Sequence, residues 1–95
     1  MLTNKQRAYL KGLANGLNAA FQIGKAGVNP ELVTAVSDYL EANELVKISV
    51  LNNCGEDVRD ISEQIGGRSR SEVVQVIGKK IVLYRESKNK KKIEL

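Results

Sequence analysis

The chain changes from strand to helix within Phe21-Gln22-Ile23-Gly24-Lys25-Ala26-Gly27-Val28-Asn29-Pro30. Asn29 is a strong N-cap, and Pro30 suits the first helical position because no amide partner is needed there. The two glycines let the backbone bend and approach a ligand, since no Cβ stands in the way. Free amides and the charge of Lys25 would then face an anion, for which a nucleic-acid phosphate is the natural candidate. A purely steric strand-to-helix turn is the alternative.

Hydrophobic periodicity and capping residues predict the elements around this loop. In chain order they are a helix at about 4–14, a strand at about 18–23, a helix at about 30–42, a strand at 46–50, a helix at about 56–65, and strands at 73–77 and 81–84. Thr3 and Gln6 have the spacing of a capping box, and Leu13 is expected on the inward side of the first helix. Gly66-Gly67 is expected to end the third helix, and Gly78-Lys79 fits a type II′ hairpin turn.

The order α-β-α-β-α-β-β predicts a compact α/β domain with a four-stranded mixed sheet. Two right-handed βαβ crossovers and one hairpin would build the sheet, with helices covering at least one face. We expect one domain over residues 1–86. Residues 87–95 are expected to form a basic, mobile C-terminal tail.

Composition favours a binding protein. The apolar share of 42% can support a core in a 95-residue chain, and the lone Cys54 excludes an intrachain disulfide, in agreement with a reducing cytoplasm. Histidine is absent, and the neighbouring acids Glu56 and Asp57 have no base or metal partner in the sequence. No segment approaches the ~20 apolar residues of a membrane helix. We therefore expect a cytoplasmic monomer that is not an enzyme and has no cofactor, metal, membrane partner or small-molecule substrate.

Charge is segregated along the chain. Residues 1–30 carry four basic side chains and no acid, residues 31–67 carry eight acids against two bases, and residues 68–95 carry nine bases against three acids. If the two basic ends fold side by side, the protein would own a positive face that attracts polyanions. Ordinary solvated surfaces are the alternative interpretation.

Three stretches together resemble the small bacterial YhbY-like proteins, single-domain members of the CRM (chloroplast RNA splicing and ribosome maturation) family. They are Leu10-Lys11-Gly12-Leu13-Ala14, Ile23-Gly24-Lys25-Ala26-Gly27-Val28, and Val74-Gln75-Val76-Ile77-Gly78-Lys79-Lys80-Ile81-Val82-Leu83-Tyr84-Arg85. The resemblance implies an RNA-binding domain with a fold similar to the C-terminal domain of translation initiation factor three. It also implies association with precursors of the large ribosomal subunit and a role in their assembly.

In this interpretation the GxxG loop and a basic face hold the RNA backbone, as the corresponding loop does in KH domains. The residues expected to contact RNA are Gly24, Lys25, Ala26 and Gly27 in the loop, Arg7 and Lys11 on the first helix, Lys79 and Lys80 at the hairpin, and also Arg68, Arg70 and Arg85. Phosphate contacts read no sequence, so specificity would rest on RNA shape, single-stranded loops or 2′-hydroxyls. Phe21 and Tyr84 are expected to pack inside the protein instead of stacking on bases.

Two other binding functions remain open. The acidic middle of the chain, with Asp38, Glu41, Asp57 and Asp60, would suit a protein-interaction adaptor that docks a basic partner such as a ribosomal protein. A DNA-binding regulator is disfavoured because the third predicted helix is acidic and would be repelled from a major groove.

Overall fold

Helices and strands alternate along residues 2–95, the part of the chain that the computed structural model describes. They are α1 (Asn4–Ala14), β1 (Phe21–Ile23), α2 (Pro30–Asn43), β2 (Leu45–Val50), α3 (Val58–Ser69), β3 (Glu72–Ile77) and β4 (Lys80–Tyr84), with a short 3-10 turn at Asn52–Cys54. The predicted α/β class and element order are confirmed. Within this range no helix combines the length and the apolar character that crossing a membrane requires.

The four strands form one mixed sheet in the order β1-β2-β4-β3. Strand β1 is parallel to β2, whereas β4 is antiparallel to both β2 and β3. The crossover through α2 therefore joins adjacent strands, and the crossover through α3 leaves room for β4 between β2 and β3. This topology brings the C-terminal ends of β1 and β2 to the same edge as the β3–β4 turn.

Helices cover both faces of the sheet. On one face Leu10 and Ala14 of α1 pack on Leu45, Val82 and Tyr84. The other face carries the larger core cluster beneath α2 and α3, whose fully buried members are Ile23, Val36, Leu40, Val46, Ile48, Val50, Ile61, Ile65, Ile81 and Leu83. The strict alternation of β2 sends Val46, Ile48 and Val50 to one face and its remaining side chains to the other.

The predicted end of α3 is wrong, because Gly66-Gly67 lies inside the helix. A Cβ at Gly66 would stand 3.1 Å from Val73 Cγ2, so the glycine lets α3 approach β3 closely. The helix continues to Ser69, whose hydroxyl donates to the Ile65 carbonyl at 2.6 Å, and Arg70 caps it in the left-handed region at φ 58°. Packing on the sheet thus outweighs the low helix propensity of two glycines.

Two smaller expectations also fail. Strand β1 begins only at Phe21, although the Ala20 N–H still donates to the Lys47 carbonyl at 2.8 Å. Leu13 is 39% exposed instead of facing inward, because the sheet-facing stripe of α1 passes through Leu10 and Ala14. The hairpin keeps its predicted two-residue turn, and Gly78 there has φ 57°.

The tail folds back on the end of α2. Glu44, fully buried and left-handed at φ 67°, accepts hydrogen bonds from the N–H groups of Ser87, Lys92 and Ile93 at 2.5–2.7 Å. Glu41 accepts from the Ser87 hydroxyl at 2.8 Å and from two further tail N–H groups. The predicted mobility of residues 87–95 stays a prediction, and these bonds define the position from which the tail would move.

The same bonds set the acidity of the two carboxyl groups. Burial acts to raise the pKa of Glu44, but the N–H groups of Ser87, Lys92 and Ile93 outweigh it, and the pKa lies below its ordinary value. The hydroxyl of Ser87 is the main cause that lowers the pKa of Glu41. The docked tail therefore favours the charged form of both carboxyl groups.

Candidate nucleic-acid interface

The 24–27 loop is a tight turn with an exposed tip. The Gly27 N–H donates to the Gly24 carbonyl at 3.0 Å, which leaves Lys25 and Ala26 in solvent. Gly27 has φ 67°, a conformation that favours glycine, and a Cβ there would stand 2.9 Å from Glu56 Oε2, at the end of an exposed side chain. At the start of α2 the Leu32 N–H already donates to Asn29 Oδ1 at 2.8 Å. Because this amide of the helix start is already bonded, we expect an anion to bind at the exposed tip of the loop.

The hairpin turn lies at the same edge of the sheet as this loop. The Val50 N–H donates to the Lys79 carbonyl at 2.7 Å, which ties the turn to the end of β2. Lys25 and Lys79 are exposed and make no side-chain hydrogen bond or ion pair within the described residues 2–95. We call this edge, residues 24–27 and 78–79, the loop end. It holds two uncommitted ammonium groups.

Other charges border the loop end. Lys80 Nζ donates to Ser49 Oγ at 3.0 Å, so its ammonium is held over the sheet. Arg68, near the end of α3, reaches the Val28 carbonyl at 3.4 Å and adds a cation beside the loop. Glu56 supplies the opposite charge at Gly27, and Gln64 Nε2 donates to its carboxylate at 3.2 Å. The anion-attracting side of the loop is therefore its tip, away from Glu56.

Two predicted arginines are bonded to the protein's own oxygens. Arg7 donates to the carbonyls of Val73 and Val74, where the β3–β4 register shifts. Arg85 donates to Ser37 Oγ at 2.9 Å, to the Ser37 carbonyl at 2.7 Å and to the Ser69 carbonyl at 2.8 Å. Arg7 thus stabilises the bulge of β3, and Arg85 joins β4 to α2 and α3.

The remaining predicted residues are spread out. Lys11 is half-buried on α1, on the opposite face of the sheet from Arg68. Arg70 is exposed beyond α3 and lines a cleft with Arg85, at the far edge of the sheet from the loop end. The structure thus places Lys79, Lys80 and Arg68 around the loop, with Lys80 on the α1 face of the sheet and Arg68 on the opposite face. It does not bring Arg70 or Arg85 to them.

The two faces of the domain differ in charge. Exposed carboxylates concentrate on α2, on α3 and in the turn before α3: Glu31, Asp38, Glu56, Asp57, Asp60 and Glu63. The α1 face of the sheet carries Lys80 and also Lys47, a residue missing from the sequence-based site. Lys47 pairs with Val82, which packs under α1, so both side chains share that face. The period-2 alternation of β2 was the signal that could have revealed it.

The chain belongs to the family of the CRS1 / YhbY (CRM) domain, which matches residues 2–85. The expected family resemblance is therefore confirmed over nearly the whole chain.

Named relatives have similar lengths. The chain is 50% identical over 95 residues to the probable RNA-binding protein YqeI of Bacillus subtilis, covering 100% of this chain and 99% of that one. An RNA-binding protein of Haemophilus influenzae is 33% identical to this chain. The match covers 95% of this chain and 91% of the Haemophilus protein. The solution structure of the hypothetical protein SAV1595 from Staphylococcus aureus matches with a TM-score of 0.83 and 48% identity, covering 100% of this chain and 99% of that one. The names of the first two relatives describe RNA binding, as expected for a binding protein.

Proposed function

We propose that this protein binds RNA, with the loop end holding the phosphate backbone. The observation that carries the proposal is the pair of exposed lysines without side-chain partners, Lys25 and Lys79, on two turns at the same end of the sheet. The curated relatives with which it shares 50% and 33% identity are named as RNA-binding proteins, which supports RNA as the polyanion. Lys80 and Arg68 would extend the contact to either side of the loop.

The finer proposal is a role in assembling the large ribosomal subunit. The chain would act in the cytoplasm as a monomer and associate with precursor particles through their RNA. The family resemblance supports this role, and the charge layout agrees with it, because the exposed carboxylates of α2 and α3 would disfavour RNA on the outer surface of these helices. Lys79 and the 24–27 loop would position the protein, while RNA shape or unpaired nucleotides would supply specificity.

The test is salt-dependent binding of the purified protein to a large-subunit ribosomal RNA fragment and to a DNA duplex of equal length. Wild type is compared with Lys25→Glu and with Lys90→Glu, an equal charge change at an exposed tail lysine. We expect a preference for the RNA that survives moderate salt. Lys25→Glu should lose about tenfold in affinity and Lys90→Glu far less.

Equal and steeply salt-sensitive binding of RNA and DNA, unchanged by Lys25→Glu, would contradict the proposal. It would reduce the basic residues to a general polyanion patch. For the ribosomal role, sedimentation of cell extracts should place the protein with large-subunit precursors. If the protein is absent from those fractions, the proposed role in ribosome assembly is contradicted.

A protein-docking adaptor is the second candidate, favoured by the exposed acids of α2 and α3. Asp38 and Asp60 lie on these two helices and are exposed. Reversing both to lysine should abolish binding of a basic ribosomal protein if this candidate is right, while Lys25→Glu should leave that binding intact. Unchanged binding after the Asp38 and Asp60 reversals would exclude the adaptor.

A further inference from the structure

Helix α1 covers only half of its face of the sheet. Its cluster ends at Leu45, Val82 and Tyr84, near the edge where the tail docks. Toward the loop end, one row of paired positions crosses all four strands, and a second row lies beside it. The first row is Gln22, Ser49, Lys80 and Ile77; in the second row, Lys47 and Gln75 flank Val82, which α1 buries. We call these two rows, without Val82, the open rows.

The open rows are chemically suited to RNA. Their accessible polar side chains are two lysines and two amides, and none of the six positions is acidic. Ser49 is only 8% exposed and lies beneath Lys80. One of the three donors of Lys80 bonds to Ser49 Oγ, and two remain for a phosphate. Ile77, 60% exposed, adds an apolar contact at the edge strand.

Lys11 borders the same rows. One side of α1 faces the tail, because a groove there is lined by the end of the tail together with Thr3, Lys5, Gln6 and Tyr9. Because successive helical residues are ~100° apart, Lys11 lies on the other flank of the buried Leu10, toward the open rows.

We propose that the open rows bind a single-stranded RNA segment of about two or three nucleotides, the number that other four-stranded sheets accommodate. The proposal rests on RNA binding at the loop end and extends the bound strand from Lys79 across Lys80 and Lys47 to Lys11. Gln22 and Gln75 would donate to and accept from base edges or 2′-hydroxyls. These contacts would supply the selectivity that phosphate binding at the loop lacks.

The shape of the surface favours a single strand over a duplex. Strands are ~4.8 Å apart, so a row of four spans about 14 Å and is bounded on one side by α1. A duplex meets such a recessed strip with the backbone of one strand only, whereas an unpaired segment can turn its bases toward the amides. Stacking contributes little, since Phe21 packs edge-on against Tyr39 at 5.5 Å and Tyr84 is buried.

The experiment is an NMR titration of the wild-type protein with a single-stranded RNA dodecamer, the same dodecamer as a duplex, and its DNA counterpart. We expect the single-stranded RNA to shift the backbone signals of Gln22, Lys47 and Gln75, and the side-chain amide signals of both glutamines. Shifts confined to residues 24–27 and 78–79 would overturn the proposal. Tighter binding of the duplex than of the single strand would also overturn it.

Substitutions separate this proposal from the function on which it rests. Lys47→Gln, and Gln22→Ala together with Gln75→Ala, should each weaken single-stranded RNA binding about five- to tenfold, with a matched loss of preference over DNA for the glutamine pair. Lys90→Gln is the control for Lys47→Gln. If Lys25→Glu weakens binding and the row variants equal the control, the open rows are excluded and the loop remains. If wild type binds no RNA, both fail together.

Discussion

Arg85 and Glu44 at one end of the sheet are hydrogen-bonded within the protein, whereas Lys25 and Lys79 at the other end are not. At the tail end, where β4 leaves the sheet, Arg85 and Glu44 are surrounded by partners from α2, α3 and the tail. At the loop end Lys25 and Lys79 are exposed without a side-chain partner among residues 2–95. Charges that already have partners stabilise the domain, because freeing them would cost their hydrogen bonds. Lys25 and Lys79 can attract a ligand at little cost, because their side chains have no partner to lose.

Arg85→Ala should produce the largest loss of stability. It removes three charge-assisted hydrogen bonds that join β4 to Ser37 and Ser69, and we expect a loss of about 2–4 kcal/mol in the free energy of unfolding. Urea denaturation measures it. Arg59→Ala, at an exposed arginine of α3, is the matched control and should change stability by less than about 0.5 kcal/mol. Equal effects of the two substitutions would show that Arg85 is not an anchor.

Glu44→Gln should cause the next largest loss of stability. The amide keeps the shape of the side chain but replaces one acceptor oxygen with a donor that faces tail N–H groups. We expect a loss of roughly 1–3 kcal/mol and faster hydrogen exchange at Ser87, Lys92 and Ile93. Glu63→Gln, at an exposed position of α3, should leave both measurements unchanged. Unchanged exchange in Glu44→Gln would mean that the tail is held by other contacts.

Acid should weaken the tail end in a defined direction. The pKa values of Glu41 and Glu44 are lowered in the folded protein relative to the ordinary 4.5, so the unfolded chain binds protons first. Their contribution to stability is complete above pH 4.5 and is lost as the pH falls below that value through the folded pKa values. Urea unfolding between pH 6 and pH 3 should show this loss, and Glu44→Gln should reduce it. A Glu44→Gln protein with the full acid sensitivity of wild type would contradict this explanation.

Glu56→Gln should have the smallest effect, and it should be a gain. Removing the carboxylate beside Gly27 relieves repulsion of a phosphate at the loop end, and the amide can still contact Gln64. We expect RNA affinity to rise about two- to threefold at low salt and the difference to fade at high salt. Glu63→Gln provides the control. A fall in affinity would indicate that Glu56 shapes the loop more than it repels the ligand.

The sequence predicted the elements well because the local signals agreed with one another. The Thr3 capping box and the Asn29-Pro30 helix start appear as predicted, and the strand expected at 46–50 is β2. It is buried on both faces because it lies inside the sheet between β1 and β4. The end of α3 was missed because the close approach of Gly66 to Val73 depends on a strand that lies later in the chain.

The candidate site was harder to predict because the charge of a residue does not show whether its side chain is already hydrogen-bonded within the protein. Arg7 and Lys25 are equivalent in a count of basic residues, yet one bonds to β3 carbonyls and the other is exposed. Lys47 could have been included from its place in the alternation of β2. The joining of Arg85 to Ser37 and Ser69 has no local sequence signal, because it requires three elements to meet.

The most direct test compares charge reversal at the two ends of the sheet. Lys25→Glu with Lys79→Glu, and Lys90→Glu with Lys92→Glu, each lower the formal net charge from +4 to 0. Both pairs are measured for affinity to the same large-subunit ribosomal RNA fragment at one salt concentration. We predict a loss of about 100-fold for the loop-end pair and less than about threefold for the tail pair. Equal losses would contradict the claim that the loop end binds RNA and would assign the binding to net charge.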